Sequence, residues 1–312
     1  MTNLSIVIPV YNEELNLNLF FERLGKILTI LESKELSYEV IVNDNDSSDN
    51  SWELIRRASL KYNFVAHRFA RNYGFQASLM FGLKKSKGDR VIVLQSDLQD
   101  PPEEILRLVE EHERTNCPVI LAVPNKRTDK FAIRIMRKIF YKVLELISDY
   151  KVVRNIQDFY LITRPVVNEI IQSPVFHQFI RTRIIENYSK NLSIIRYEKG
   201  IRVNGQSSFN FSRLYSLAMD AFLLQSSKFL RIITIVSLVI FILGLMIIFL
   251  VTAGFILGFK FPVSGYTSIL FLLILNLSAV TLGGALILEY LKRQHKINFH
   301  PDFVCLTDEV QS

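Results

Sequence analysis

A carboxylate and a side-chain amide lie two residues apart in the segment 95–103, which reads Gln-Ser-Asp-Leu-Gln-Asp-Pro-Pro-Glu. Asp97 and Gln99 follow an apolar run, Val91–Leu94, that predicts a buried strand, and the prolines and glutamates after them predict the start of a helix. Carboxylate and amide oxygens suit a hard cation such as Mg2+ or Mn2+, which can in turn bind a diphosphate. The same residues would also serve in an ordinary polar loop that caps a helix, and their spacing alone leaves both interpretations open.

Other apolar runs predict the strands that would position this loop. Leu4–Val10, Tyr38–Val42, Val65–Phe69 and Val119–Val123 alternate with amphipathic helical stretches, as does the run before Asp97. This alternation is typical of an α/β domain with a mostly parallel, doubly wound sheet. Three of the strands end in loops that carry Asp or Asn, and parallel strands bring such ends to one edge. We therefore expect a nucleotide-type site along that edge.

Composition narrows the class of protein. The chain has 312 residues, of which 49% are hydrophobic, and a formal net charge of +7. The basic residues accompany the apolar segments described next, and no nucleic-acid-binding motif occurs, so we expect no nucleic-acid partner. Its two cysteines, Cys117 and Cys305, have neither disulfide nor metal-site spacing, which favours a reducing compartment for the polar part.

Two long uncharged segments occupy the C-terminal third of the chain. Residues 232–257 and 266–288 each exceed the roughly 20 residues that a helix needs to cross a bilayer. Basic residues flank their outer ends (Lys228, Arg231, Lys292, Arg293 and Lys296), whereas the connection between them offers only Lys260. By the positive-inside rule both outer ends face the cytoplasm. We predict an integral protein of the inner or plasma membrane with both termini and the N-terminal domain in the cytoplasm.

The predicted domain plan has four parts. Residues 1–208 form the α/β domain, 209–231 form an amphipathic segment at the membrane interface, 232–288 hold the two transmembrane helices, and 289–312 form a cytoplasmic tail. A basic amphipathic helix is also predicted from Thr128 to Ile147, either as a solvated face or as a helix resting on anionic headgroups.

Several motifs occur in a fixed order along the chain. They are Ile6–Glu14, Asp44–Asp49, Arg71–Gly74, Asp97–Glu103 and Gln157–Leu161, followed by Arg202 and Gly205–Ser207. Together with the paired hydrophobic segments, they resemble family 2 glycosyltransferases with a GT-A fold. The branch they resemble most is that of the polyprenyl-phosphate glycosyltransferases, which includes undecaprenyl-phosphate glucosyl- and aminoarabinosyl-transferases and dolichol-phosphate mannose synthase.

The resemblance implies a reaction. A sugar would pass with inversion from a nucleotide-diphosphate sugar to a polyprenyl phosphate (undecaprenyl or dolichyl), and the product would serve cell-envelope glycan or glycolipid modification. Bound Mg2+ or Mn2+ would neutralise the leaving diphosphate. The acceptor phosphate has a second pKa of roughly 6 and would attack as an anion, so that a strong base is hardly needed. The sequence leaves open whether the chain forms a homo-oligomer.

The resemblance also implies roles for individual residues. Nucleotide binding would fall to Pro9, Tyr11, Glu13, Asp44, Asn45 and Gln95, and metal binding to Asp97 and Gln99. Asp97 would thereby act in catalysis together with Asp158, which matches the family's catalytic aspartate and is expected to orient the acceptor or the sugar. Arg127, Arg202 and Ser207 would bind phosphate or acceptor.

Five positions depart from the family pattern. Gln95 and Asn45 stand where aspartates are usual, Pro124 where arginine is common, and Ser208 where lysine usually follows. Asp46 replaces a usual glycine, which is tolerable because Asp can adopt left-handed backbone conformations. The changes indicate either an unusual donor or a weakened enzyme. Two other functions stay open, namely transfer to another lipid-linked or polysaccharide acceptor and a non-catalytic membrane scaffold.

Overall fold

The computed structural model describes residues 3–62, 64–125, 156–172, 180–200 and 304–310, together with isolated positions between 239 and 291. One compact unit contains Met1–Ile135, Val153–Ser208 and Asn298–Ser312, and the other contains Met136–Val152 and Phe209–Ile297. The predicted helix from Thr128 to Ile147 and the predicted interface segment 209–231 lie outside the described residues.

The first unit is built on a sheet whose described part has eight strands in the order β7-β5-β6-β4-β1-β2-β3-β8. The strands are β1 (Leu4–Val10), β2 (Tyr38–Asp44), β3 (Val65–Phe69), β4 (Arg90–Val93), β5 (Val119–Pro124), β6 (Tyr160–Thr163), β7 (Ser193–Tyr197) and β8 (Leu306–Val310). β1 pairs in parallel with β2 and β4, β2 pairs in parallel with β3, and β5 with β7. Only β6 and β8 run antiparallel to their neighbours in this sheet. The predicted mostly parallel α/β sheet is confirmed.

Helices cover both faces of the sheet. The described helices are α1 (Glu14–Ser33), α2 (Ser51–Tyr62), α3 (Phe75–Lys85), α4 (Glu104–Thr115), α5 (Arg164–Gln172) and α6 (Ile180–Tyr188). α1, α2 and α4 share a core with Ile6 and Ile8 of β1. α3 packs on the opposite face, where a Cβ at Gly82 would lie 2.3 Å from Val7 Cγ1. The sheet is therefore doubly wound, as the alternation of strands and helices predicted.

The composition of the central strands explains why they are buried. Every residue of β1 is buried, which is what a continuous apolar run in a sheet covered on both faces requires. β2 continues two residues beyond its predicted end, so Asp44 is the last residue of a strand and lies level with Val10 of β1. These two strand ends, together with the end of β4, define one edge of the sheet.

Three strands were not predicted. β6 lies between β4 and β5, and it places the segment that precedes it at the same edge as the end of β4. β7 pairs with β5. β8, which comes from the predicted cytoplasmic tail, pairs with β3 at the far side of the sheet.

The predicted transmembrane segments, 232–257 and 266–288, lie mostly outside the described residues. Within the part of the chain that is described, no helix combines the length and apolar character needed to cross a bilayer. The isolated positions between 239 and 291 are nearly all helical, and large apolar side chains among them are exposed, for example Phe249 at 70% and Ile256 at 86%.

Candidate active site

The loop after β4 holds Asp97 at the edge of the sheet. Asp97 is half-buried, and its Oδ1 accepts a hydrogen bond from the backbone N–H of Gln99 at 3.0 Å. Leu98 between them is buried and has a φ of +62°, a left-handed conformation that leucine rarely adopts. Such strain persists where the surroundings fix the backbone, and it is common at functional sites. The turn thus keeps the Asp97 carboxylate at the strand tip and out of the core.

The same loop is hydrogen-bonded to the end of β7 and to the segment that follows it. The hydroxyl of Tyr197 donates a hydrogen bond to Oδ1 of Asp100, which is 2% exposed. The backbone N–H of Gly200 donates to the carbonyl oxygen of Gln99 at 2.9 Å. A Cβ at position 200 would lie 2.3 Å from the carbonyl oxygen of Leu98, so only glycine fits there without displacing the loop. Gly200 comes two residues before Arg202, which itself lies outside the described residues.

Three carboxyl groups share this region. Burial raises the pKa of Asp100 to about 6, against the effect of the Tyr197 hydrogen bond, and the charges of Asp97 and Asp158 raise it further. The acidic residues from the loop after β4 and from the segment before β6 are therefore close enough to interact electrostatically. Such a cluster favours a bound cation or cationic group.

Asp158 reaches this region through β6. Tyr160 pairs with Val93 of β4, which brings Asp158 to the same edge as Asp97. Asp158 is 7% exposed, and its Oδ2 lies 3.3 Å from Nη1 of Arg181 on α6. Burial raises the pKa of Asp158, and Arg181 partly offsets this. Its Oδ1 is buried without a hydrogen-bond partner among the described residues, so it can accept a hydrogen bond from a ligand.

Asp44 is fully buried at the end of β2. Its carboxylate accepts hydrogen bonds from the hydroxyl and the backbone N–H of Ser47, and its Oδ2 lies 3.5 Å from Nε of Arg68 on β3. Burial raises the pKa of Asp44, while Ser47 and Arg68 lower it. Asp46 has a φ of +61°, which confirms that Asp adopts the left-handed conformation at this usual glycine position.

Asn45 joins two loops at this edge. Its Nδ2 donates to Oδ1 of Asn72 at 2.9 Å, and its Oδ1 accepts the backbone N–H of Tyr73 at 2.9 Å. The same Asn72 oxygen accepts the backbone N–H of Gly74 at 2.9 Å. An amide is needed at position 45 because it both donates and accepts, whereas a carboxylate can only accept.

The turn after β1 lies beside these loops. Pro9 and Val10 pair with Asn43 and Asp44, so Tyr11 and Glu13 follow at the same edge. Tyr11 is 46% exposed, which leaves its ring available to a ligand. The backbone N–H of Glu13 donates to Oγ of Ser51 at 2.9 Å.

Most of the predicted site residues gather at one edge of the sheet. Those described there are Pro9, Tyr11, Glu13, Asp44, Asn45, Gln95, Asp97, Gln99 and Asp158. Arg127, Arg202 and Ser207 lie outside the described residues. Sequence reasoning missed Arg68, Arg181 and Tyr197, each of which pairs with a predicted aspartate or with its loop. Arg68 could have been found as an arginine near the end of a predicted strand. No local sequence pattern indicates that Arg181 pairs with Asp158 or that Tyr197 bonds to Asp100.

The donor set at this edge fits a cation held jointly with a ligand. No group of three His, Cys, Asp or Glu side chains that could hold a metal occurs among the residues that the structure describes. Asp97 offers a half-exposed carboxylate, and Gln99 offers an amide oxygen. Mg2+ is commonly bound by one or two carboxylates, with phosphate and water oxygens completing the shell. A cation that arrives with a diphosphate therefore suits these residues better than a cage made by the protein alone.

The residues that form this edge of the sheet match a known protein family. The family model described as Glycosyl transferase family 2 matches residues 5–171, which is more than half of the chain. The chain belongs to glycosyl transferase family 2. The matched residues include β1 to β6 and therefore the loops that carry Asp44, Asp97 and Asp158.

Curated relatives in this family match parts of the chain. An undecaprenyl-phosphate 4-deoxy-4-formamido-L-arabinose transferase of Pseudomonas fluorescens is 42% identical over 127 residues, which cover 40% of this chain and 36% of the relative. The enzyme of the same name from Aeromonas hydrophila is 46% identical over 108 residues, covering 34% and 32%. An uncharacterized glycosyltransferase of Bacillus subtilis is 34% identical over 149 residues, covering 46% and 44%. The aligned parts thus span less than half the length of these relatives.

A solved structure agrees in fold. Glucosyl-3-phosphoglycerate synthase from Mycobacterium tuberculosis, in complex with Mn2+, UDP-glucose and phosphoglyceric acid, aligns with a TM-score of 0.51 and 15% identity. The alignment covers 73% of this chain and 79% of that one. At this identity the likeness concerns the fold, and it supports the GT-A-like α/β sheet of the family 2 domain.

Proposed function

We propose that this protein transfers a sugar with inversion from a nucleotide-diphosphate sugar to a polyprenyl phosphate, forming a polyprenyl-phosphate sugar for cell-envelope glycan or glycolipid modification. The observation that carries the proposal is the meeting of Asp97 and Asp158 at the edge where β1 and β2 also end. Asp97 suits a cation on the leaving diphosphate. Asp158 has a carboxylate oxygen without a hydrogen-bond partner among the described residues, and this oxygen could bind the sugar or the acceptor. The names of the matching Pseudomonas and Aeromonas relatives support the same acceptor class.

The donor would bind along the ends of β1, β2 and β4. Tyr11 offers an exposed ring for the base, while Asn45 and Asp44 shape the wall beside it. Asp97 and Gln99 would hold Mg2+ or Mn2+, which would neutralise charge on the departing nucleoside diphosphate. Gln95, which stands where a second aspartate is usual, fits a site in which the cation depends on one carboxylate and on the substrate phosphates.

Asp158 would orient the reacting groups. The acceptor is a phosphate monoester that is already largely ionised near neutral pH, so a strong base contributes little. The buried Oδ1 of Asp158 can accept a hydrogen bond from a sugar hydroxyl, and Arg181 holds the other oxygen. Fixed orientation of this kind lowers the barrier by placing the reactants in line.

The acceptor would come from the bilayer. The uncharged segments 232–257 and 266–288 are each long enough to span a membrane, and described helical positions within them expose large apolar side chains. We propose two transmembrane helices with the family 2 domain and both termini in the cytoplasm. A lipid phosphate at the cytoplasmic face would then be the natural nucleophile.

The test is synthesis of a lipid-linked sugar. The full chain in detergent is incubated with undecaprenyl phosphate, Mg2+ or Mn2+ and a panel of UDP-, CDP- and dTDP-sugars, and the lipid product is measured. Asp97→Ala is expected to lower turnover by about 100-fold or more, because the leaving group loses its cation. Asp89→Ala is the matched control, since Asp89 is an exposed residue just before β4 at the opposite end of the strand. It should leave turnover unchanged.

The outcomes separate the alternatives. No lipid-linked sugar from any donor would refute the proposed reaction. If calorimetry then detected neither nucleotide nor metal binding, a non-catalytic scaffold would replace it. Nucleotide binding without lipid product would indicate a different acceptor.

A further inference from the structure

We propose that the C-terminal strand β8 is a positioning element of the donor site, acting through Asp308 and Trp52 on Arg68. The inference rests on the proposed function in one respect, namely that a nucleotide binds beside Asp44. It adds a contribution from a segment that lies more than 230 residues from Arg68 along the chain.

β8 is firmly paired with β3. Ala66 pairs with Val310, Arg68 with Asp308 and Phe69 with Leu306 in an antiparallel ladder. The pairing continues beyond the strand, because the backbone N–H of Ala70 donates to the carbonyl oxygen of Cys305 at 2.9 Å. Thr307, Asp308 and Glu309 of β8 are polar and exposed, while Val310 is partly buried against the hydrophobic core. Backbone pairing and a few side-chain contacts hold it in place.

One route to the donor site runs through an aromatic ring. Nε1 of Trp52 on α2 donates a hydrogen bond to Oδ2 of Asp308 at 3.2 Å. The guanidinium carbon of Arg68 lies 5.9 Å from the centre of the Trp52 ring. Arg68 in turn lies 3.5 Å from Asp44 and donates to the carbonyl oxygen of Ser47 at 3.2 Å. Asp308 therefore fixes the indole against which the Arg68 guanidinium rests, and Arg68 fixes the end of β2.

A second route runs through the loop after β3. The backbone N–H of Cys305 donates to the hydroxyl of Tyr73 at 3.3 Å. The backbone N–H of Tyr73 is bonded to Asn45, the residue that follows Asp44. Both routes start at residues 305–308 and end at the adjacent residues Asp44 and Asn45, at the end of β2. This convergence distinguishes β8 from a strand that only protects an open sheet edge.

Trp52 is the only tryptophan of the chain, so its fluorescence reports directly on this contact. Removal of the carboxylate in Asp308→Ala is expected to shift the Trp52 emission and to weaken binding of the preferred nucleoside diphosphate by about 5-fold to 10-fold, the effect of one lost hydrogen bond. Asp308→Asn keeps an oxygen that can accept the indole N–H, and it should recover most of the affinity. Asp89→Ala, the same chemical change at an exposed residue just before β4, is the control and should stay within about twofold of the wild type.

The experiment uses the full chain in detergent. UDP, CDP and dTDP are titrated with Mg2+ and Trp52 emission is recorded, and hydrogen exchange of residues 68–74 is measured without nucleotide. We expect Asp308→Ala to show faster exchange in that segment together with the weaker binding. A protein that lacks residues 304–312 should show both effects more strongly.

Each outcome bears on one of the two proposals. If the wild type binds a nucleotide and Asp308→Ala binds it equally well, β8 has no role at the donor site and the inference is wrong. If the wild type binds no nucleotide, the proposed function fails, and unchanged exchange of residues 68–74 in Asp308→Ala would overturn the link from β8 to the loop as well. Weaker binding in Asp308→Asn to the same degree as in Asp308→Ala would also contradict the hydrogen-bond route.

Discussion

The side-chain amide of Asn45 joins two loops at the edge of the sheet. The family pattern has an aspartate at this position, and the family resemblance implied that Asn45 takes part in nucleotide binding. In the structure both ends of the Asn45 amide are used within the protein, by Asn72 and by the backbone of Tyr73. Asn45 therefore fits the loop 71–74, with which it makes both hydrogen bonds.

We predict that Asn45→Asp, although it restores the usual family residue, destabilises the domain. The new carboxylate oxygen would face Oδ1 of Asn72, and Asn72 cannot turn its amide because the same oxygen accepts the N–H of Gly74. The expected loss is about 1–3 kcal/mol in the free energy of unfolding, measured by urea denaturation in detergent. Asn191→Asp, at an exposed position, is the control and should change stability by less than about 0.5 kcal/mol. Equal stability of Asn45→Asp and the wild type would show that the amide donor is dispensable.

Part of the residue-scale arrangement was accessible from sequence. The places of Asp97 and Asp158 at the edge of the sheet were predictable from the order of the motifs, whereas their roles stay predictions. The left-handed conformation of Asp46 follows from its replacement of a usual glycine. The pairing of Asp158 with Arg181 was not accessible, since it depends on how α6 packs. The left-handed Leu98 was also unforeseen, because leucine carries no local signal for that conformation.

At the scale of elements, the contact between Gly200 and the loop after β4 gives a sharp prediction. A methyl group at 200 would overlap the carbonyl oxygen of Leu98, which is backbone and cannot move without shifting Asp97. We expect Gly200→Ala to cost about 1–3 kcal/mol of stability. It should also weaken Mn2+ binding in the presence of the nucleoside diphosphate that the wild type prefers, measured by calorimetry.

Gly283→Ala is the matched control for that experiment. A Cβ at Gly283 meets nothing within 4 Å among the residues that the structure describes, so the same chemical change should affect neither stability nor Mn2+ binding. Wild-type Mn2+ affinity in Gly200→Ala would mean that the segment after β7 does not constrain Asp97.

A buried histidine on β3 makes stability depend on pH. His67 is 2% exposed, its Nδ1 lies 3.1 Å from Oδ1 of Asn43, and the Asn43 amide nitrogen donates to the carbonyl oxygen of Ser78. Asn43 Oδ1 is thus an acceptor, and neutral His67 carries its proton on Nδ1. Burial lowers the pKa of His67 to about 4, although Glu309 opposes the shift.

The sign of the pH effect follows from that depressed pKa. Unfolded His67 takes up a proton below about pH 6.5, whereas the folded protein does so only near pH 4. The contribution of His67 to the free energy of unfolding should therefore decrease as the pH falls from 6.5 to 4, by at most about 3 kcal/mol, and should stay constant below that. Urea denaturation followed by Trp52 fluorescence at several pH values tests this against His67→Gln, which should lack this component. Identical pH profiles of the two proteins would contradict the assignment.

The sequence predicts some strands and not others, and the difference has a physical reason. β1 and β5 are almost continuous apolar runs, because every residue in them is buried. β2, β3 and β4 each contain a shorter apolar stretch beside polar or charged residues. β6 runs directly into α5 without a turn between them, and β8 is mostly polar, so neither is marked as a separate strand by the sequence pattern. Their partners, β4 for β6 and β3 for β8, are distant in sequence, and only tertiary pairing defines them.

At the scale of the whole molecule, β8 constrains the proposed membrane topology. It lies beyond both predicted transmembrane segments in sequence, yet it joins the sheet that residues 4–124 begin. A chain that leaves this sheet and returns to it must cross a bilayer an even number of times. Two spans, 232–257 and 266–288, satisfy that condition independently of the basic residues that flank them. A single span would not.

This leads to a prediction about Cys305, which is exposed at the start of β8, whereas Cys117 is half-buried. In a Cys117→Ser protein Cys305 is the only thiol, and a membrane-impermeant maleimide should label it in lysed spheroplasts but not in intact ones. The control moves the thiol to the predicted external connection, as Ser264→Cys in a protein without the two native cysteines, and this position should be labelled in intact spheroplasts. Labelling of Cys305 from outside would require an odd number of crossings, which is incompatible with β8 completing the cytoplasmic sheet of its own chain.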